Sequence, residues 1–246
     1  MKIALVSDLH GNAVGLDAVV RDLEGEPWDE VVCLGDVAQG GAQPATVVDR
    51  LDELRWPCVF GNSDEFLLTL RSDEYAGDAE RERRALETAE WSRRQLGERR
   101  LALLRAYAPT VELDGAGRRV VCCHATPVSN EDVVLPDTAR DDIEPLVHGI
   151  DVVACGHVHL QWLRRVGHAL WLSVGSAGLA YEHVYPLEDV GFEPFAEYAA
   201  LTAEDGKLRA EFRRVPFDVD EVLEAITSSG MPYAREFAAR WRRSDQ

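Results

Sequence analysis

Seven side chains of the kinds that ligate divalent cations lie in five short pieces of this chain, and each piece follows an apolar, strand-like run. The pieces are Asp8-Leu9-His10, Gly35-Asp36, Gly61-Asn62, His124 directly after Val120-Val121-Cys122-Cys123, and Gly156-His157-Val158-His159. Aspartates and histidines scattered along a chain are common. Placed repeatedly where strands end, they require those ends to gather at one edge of a sheet. Asp, Asn and His together suit borderline and hard cations such as Mn²⁺, Fe²⁺ or Zn²⁺. The pattern marks a candidate metalloenzyme.

The runs between these pieces fix the fold class. Residues 2–7, 30–34 and 57–60 read as strands, while 12–24 and 43–54 carry apolar residues at helical spacing. Strand–helix–strand–helix–strand with near-continuous apolar strands predicts a parallel α/β sheet buried on both faces. From about residue 64 to 108 the character changes to an Arg-, Glu-, Leu- and Ala-rich insertion. Its apolar stripe is Leu86, Trp91, Leu96, Leu101 and Leu104, read as two or three helices broken near Gly97. Such an insertion is a helical cap packed by its stripe, and it is also placed to act as a lid. Hairpins are expected at 110–113 with 118–123, 161–166 with 169–174, and 197–201 with 207–213, the last around Asp205-Gly206. A helix is expected at 138–148, a strand at 151–155, and closing helices at 219–226 and 232–242. With no linker or repeat, residues 1–246 read as one domain.

Charge narrows the partners. Lys plus Arg total 26 against 44 Asp plus Glu, a formal charge of −18. That surface repels nucleic acid polymers and anionic membranes. Bound divalent cations would reverse the field locally, which keeps a small phosphorylated substrate in play. The opening apolar run is cut short by Asp8 and His10, too early for a signal peptide, and no stretch approaches the ~18 apolar residues of a membrane span. Five cysteines in apolar runs without CxxC spacing read as reduced core thiols. A cytoplasmic protein is the expectation, and a homo-oligomer is compatible with it.

The ligand types divide the chemistry. Asp8 and His10, two apart at a strand end, lean the same way and can chelate one ion. The Asp36 carboxylate can bridge two cations, which no imidazole can do. Asn62 offers a neutral amide oxygen, His157 and His159 can serve one ion each, and His124 adds the last nitrogen. The count fits two ions roughly 3.5–4 Å apart, the arrangement that activates an attacking oxygen and stabilises a phosphoryl group.

In order and type these five motifs resemble the calcineurin-like metallophosphoesterase superfamily. Leu9-His10-Gly11-Asn12, the insert with Trp91 and Leu96, Val174-Gly175-Ser176-Ala177-Gly178, and the tail from Tyr198 to Trp241 are similar to its small bacterial phosphodiesterase branch. The resemblance implies a four-layer α/β/β/α sandwich, two packed mixed β-sheets flanked by helices, with the site at the C-terminal edge of the strands. It implies two divalent ions (Mn²⁺, Fe, Ni²⁺ or Zn²⁺, with Mn²⁺ favoured). Asp8, His10 and His159 would hold one, Asn62, His124 and His157 the other, and Asp36 would bridge. The reaction implied is phosphoric ester hydrolysis by in-line attack of a metal-bridging hydroxide on phosphorus.

One position departs from the family. Many members carry histidine after Gly-Asn, where this chain reads Gly61-Asn62-Ser63-Asp64. Serine cannot donate a proton at neutral pH as an imidazolium does. A phosphodiesterase acting on small, nucleotide-like substrates with good leaving groups is therefore the leading reading. A phosphomonoesterase, protein phosphatase or dinucleoside polyphosphate hydrolase comes second. A non-catalytic scaffold of the same fold, as in a retromer subunit, comes third, because a scaffold has little reason to keep seven ligands. Asp36, Asn62 and Asp64 are the expected catalytic residues, Asp64 orienting Ser63 or a water, and Asn12 is placed to touch the phosphate. His148, His168 and His183 read as surface histidines, Cys122 and Cys123 as core, and residues 175–178 as a tight turn beside the site. The arginines of the insert are expected to pair with glutamates of their own helix.

Overall fold

The computed structural model of the chain describes residues 1–71, 77–182, 190–204 and 206–241. The first half runs β1 (Lys2–Val6), α1 (Ala13–Leu23), β2 (Glu30–Cys33), α2 (Pro44–Leu54), α3 (Asn62–Thr69) and α4 (Ala79–Arg105). It continues through β3 (Thr110–Asp114), β4 (Arg119–Cys123), α5 (Arg140–Ile143), β5 (Val152–Cys155), β6 (Gln161–Val166) and β7 (Ala169–Val174). The chain closes with β8 (Phe195–Glu204), β9 (Lys207–Pro216), α6 (Val219–Ser229) and α7 (Ala234–Ala238).

Alternation along β1 dictates the layering. Ile3 and Leu5 project to one face, Ala4 and Val6 to the other, and all four are buried, so both faces must be covered. Ile3 and Leu5 meet Val32, Leu34, Val120, Cys122, Val152, Ala154, Leu172 and Val174 in an apolar seam between two sheets. Ala4 and Val6 instead meet Leu16 and Val19 of α1, Val47 and Leu51 of α2, Leu96 and Leu104 of α4, and Ile226 of α6. On the far face of the second sheet, Val121, Cys123, Val153, Cys155 and Trp171 pack with Ile143 and Val147. Helices, sheet, sheet and helical segments thus form the expected four layers. Each fully buried Val, Leu or Ile contributes about 1.5–3 kcal/mol to holding them together.

Both sheets are mixed. The first runs β2-β1-β8-β9 and the second β3-β4-β5-β7-β6. β1 is parallel to β2, Leu5 opposite Val32, and β4 is parallel to β5, Val121 opposite Val153. Parallel neighbours end on the same side, which brings the loops after β1, β2, β4 and β5 to one edge. All five ligand pieces lie on that edge or on the 57–61 segment beside β2.

Several local expectations change. Residues 57–60 make only isolated bridges, Cys33 with Cys58 and Val59 with Ala108, because the run is too short to propagate a ladder. The 138–148 helix breaks into α5 and a 3-10 turn, Glu144–Val147, since Pro145 lacks the amide a continuing helix needs. The last helix shrinks to α7, entered through Tyr233 in the left-handed region at φ 58°. Its expected end at Arg242 lies outside the described residues, as do His183, Asp205 and positions 72–76 of the insertion. α4 kinks at Gly97 (φ 64°, ψ 172°), where the sequence puts its break. Arg83 pairs within α4, with Glu80 and Glu87, but Arg99 and Arg100 reach across to Asp49 and Asp52 of α2. His148 and His168 are exposed. No described helix is long and apolar enough to cross a membrane.

Candidate metal centre

Five of the seven sequence-derived ligands sit in left-handed backbone: Asp8 (φ 54°), His10 (44°), Asp36 (56°), His157 (70°) and His159 (57°). The two-residue spacings therefore do not work as extended strand ends. Each ligand occupies a tight reversal that costs on the order of 1–3 kcal/mol for a residue with a side chain. Backbone hydrogen bonds hold the reversals in place. Asp8 N donates to Gly35 O (3.0 Å), His10 N to Asp36 O (2.9 Å), and Gly178 N to Asp8 O (3.0 Å). Ser176 Oγ also donates to Asp8 O (2.7 Å), which makes the 175–178 turn a brace for the first ligand.

The side chains converge in two groups. In the first, His10 Nδ1 donates to Gln39 O (2.6 Å) and His159 Nδ1 to Leu179 O (2.7 Å). Those bonds leave both Nε2 lone pairs pointing inward, 3.0 Å apart. Asp8 Oδ1 lies 3.3 Å from His159 Nε2 and 3.8 Å from His10 Nε2, buried and without a hydrogen bond. In the second group, His124 Nδ1 donates to Leu34 O (2.8 Å), which directs Nε2 at Asn62 Oδ1 (2.9 Å). His157 Nε2 donates to Glu131 O (3.2 Å), leaving Nδ1 facing the same Asn62 oxygen (3.2 Å). Asp36 stands between the groups, Oδ1 at 3.4 Å from His124 Nε2 and Oδ2 at 3.6 Å from His10 Nε2. Asp8 also falls within reach of the second group through Asp36 and His124, so two carboxylates share the middle.

The electrostatics ask for positive charge. Burial pulls the His124 imidazole down, yet the Asp36 carboxylate outweighs it and pushes the group up to about 10. His157, buried and repelled by His124, falls to about 4. Burial raises both Asp36 and Asp8, but the facing histidines hold the two carboxylates below their ordinary range. The pull of Asp36 on His124, and of the histidines on both carboxylates, marks the centre as a place where positive charge is favoured. Converging lone pairs, an orphaned buried carboxylate oxygen and an all N/O donor set fit divalent cations.

Two further residues singled out in the sequence are held by bonds within the fold. Asp64 is fully buried, and its oxygens accept from the amides of Asp36 (2.9 Å), Val37 (3.0 Å) and Gly61 (3.1 Å). Ser63 is not among those partners. Asn12 caps α1 through Gly15 N (3.0 Å) and donates to Gly178 O (2.9 Å), so both ends of its amide are engaged within the fold. Sequence reasoning missed the bonds of Ser63 to Asp36, 2.7 Å from Oγ to Oδ2 and 2.9 Å from N to Oδ1. It also missed Tyr181, whose ring lies 4.2 Å from that of His159. Residues 1–187 match the family model described as the calcineurin-like phosphoesterase superfamily domain.

The chain belongs to the calcineurin-like phosphoesterase superfamily.

With that membership it stands among the metal-dependent phosphoesterases. A curated relative, the uncharacterized protein MJ0912 of Methanocaldococcus jannaschii, is 26% identical over 239 residues, covering 94% of this chain and 93% of the relative. The crystal structure of a metallophosphoesterase from Sphaerobacter thermophilus has the same fold, with a TM-score of 0.71 at 22% identity over 98% of this chain and 97% of that one. The hypothetical protein PH1004 from Pyrococcus horikoshii gives 0.77 at 19% identity over 97% and 96%.

Beneath the bracing turn lies an acid the site does not use. Glu197 is buried, Oε1 pairs with Arg214 Nε (3.0 Å), and Oε2 has no partner. Burial pushes this carboxyl up to about 7 from an ordinary 4.5, against the pull of Arg214. The neutral form therefore favours the folded state. Its contribution is complete below pH 4.5 and is lost as the pH rises to about 7. Glu197→Gln is expected to melt like the parent near pH 4 and to gain about 2–3 kcal/mol over it at pH 8. Urea denaturation across that range checks this, and parallel profiles would contradict it.

Proposed function

We propose that the chain is a phosphodiesterase that holds two divalent cations, manganese favoured, and acts on small substrates. The inward-facing Nε2 lone pairs of His10 and His159, 3.0 Å apart beside an orphaned Asp8 oxygen, are the observation that carries the reading. Asp8, His10 and His159 would hold one ion, Asn62, His124 and His157 the other, with Asp36 between them. Bound there, the cations supply a water of lowered pKa and screen charge developing on the phosphoryl oxygens. The chain's own part is to fix the donors. Four histidines are each tied by a ring nitrogen to a backbone carbonyl, which sets tautomer and orientation.

The position after Asn62 supports the diesterase side of the reading. Ser63 Oγ already donates to Asp36, and a serine hydroxyl does not protonate an alkoxide at neutral pH. A leaving oxygen there departs without a proton from this residue, which favours phenolic over alkyl esters. Chelator-treated protein is expected to be inert and to regain activity with Mn²⁺. The restored enzyme should turn over bis(p-nitrophenyl) phosphate at least about tenfold faster than an alkyl phosphomonoester. Comparable rates on the two, or activity surviving chelation, would sink the proposal.

A further inference from the structure

The first turn of α3 grips residue 36 from both ends. Asp64 takes the Asp36 backbone amide, and Ser63 takes the side chain with two donors, its amide on Oδ1 and its hydroxyl on Oδ2. The hydroxyl does not cap its own helix: Gly61 occupies the N-cap, and Asp64 satisfies the Gly61 amide. The bond reaches 27 positions back along the chain.

Each Asp36 oxygen faces a different half of the centre. Oδ1 looks to His124 Nε2 and Oδ2 to His10 Nε2. A carboxylate has about four lone-pair sites, so the two bonds from Ser63 leave each oxygen one or more for a cation. Rotation of the carboxylate would break both bonds and misdirect both oxygens.

We propose that Ser63 is a positioning residue that holds the Asp36 carboxylate so that one oxygen serves each ion, the hydroxyl governing the side of Asp8, His10 and His159. The inference rests on the two-cation reading above. Removing the hydroxyl leaves the backbone amide on Oδ1 and frees Oδ2 alone, so the damage is one-sided. Hydrogen-bond partners behind a metal ligand typically contribute 10–100-fold in affinity.

Calorimetric titration of Mn²⁺ into chelator-treated wild type, Ser63→Ala and Ser63→Thr tests this, with thermal melting of the metal-free forms to confirm folding. Wild type is expected to bind two ions. Ser63→Ala should lose about 10–100-fold at one site with the other within about threefold, and Ser63→Thr, which keeps the hydroxyl, should recover most of the loss. Crystals soaked at limiting Mn²⁺ should show the deficit in the anomalous signal at the His10 side. Two ions bound by Ser63→Ala with wild-type affinity, equal losses at both sites, or a threonine no better than alanine would each overturn the assignment of Ser63 alone. A wild type that binds fewer than two ions would overturn the two-cation reading along with it.

Discussion

Asp36→Asn is expected to lower kcat/KM on an aryl phosphodiester by about a thousandfold or more and to bring Mn²⁺ binding below two ions per chain. The substitution keeps shape and removes what the position requires. An amide has one acceptor oxygen, while Ser63 presents one donor to each oxygen of residue 36, so in either orientation the new NH2 group faces a Ser63 donor. It also removes the anion that His124 and His10 share across the centre. Steady-state kinetics with a metal titration would check this. A variant within about tenfold of wild type and still binding two ions would show that Asp36 is not the shared ligand.

Gly61→Ala is expected to damage the same centre without replacing any candidate ligand. A Cβ at residue 61 would overlap Asp36 Oδ1, lie 2.5 Å from the Asp36 amide nitrogen and 3.0 Å from its Cγ. The nitrogen belongs to a backbone pinned by Asp64, so it cannot yield as the end of a flexible side chain would. Forcing an extra methyl into such a site costs about 1–3 kcal/mol or more. Activity should fall by at least about a hundredfold as Asp36 is displaced, with a lower melting temperature. Gly115→Ala is the control, since a Cβ there comes no nearer than 3.4 Å to any neighbour and its backbone is not left-handed. Wild-type melting and metal binding in Gly61→Ala would refute the close approach.

The convergence of the candidate ligands is legible in the sequence because they are polar residues set where apolar runs stop, and the parallel pairing of β1 with β2 and of β4 with β5 gathers those stops on one edge. How they aim was not legible. Reading Asp8 and His10 as neighbours on one strand face assumes extended backbone, whereas both occupy left-handed reversals fixed by contacts with the Gly35-Asp36 loop. Asn12 and Asp64 carry helix-start signals, an asparagine just before α1 and an acid in the first turn of α3, and their bonds in the fold follow those signals. Arg99 and Arg100 were assigned partners within α4 because sequence spacing is blind to the register of α2 alongside. The Ser63 bonds depend on a loop 27 residues away. No local pattern announces them.

The conformations at Asp8, His10, Asp36, His157 and His159 set protein engineering against catalysis. Glycine or asparagine settles into that region of backbone more readily than histidine does. A thermostability selection run in the presence of chelator would therefore drift toward those two residues at these five positions. It would return a hardier polypeptide with the candidate centre erased. The same selection run with a divalent cation that the centre binds would have the opposite incentive, because a ligand held only by the folded chain stabilises it through mass action.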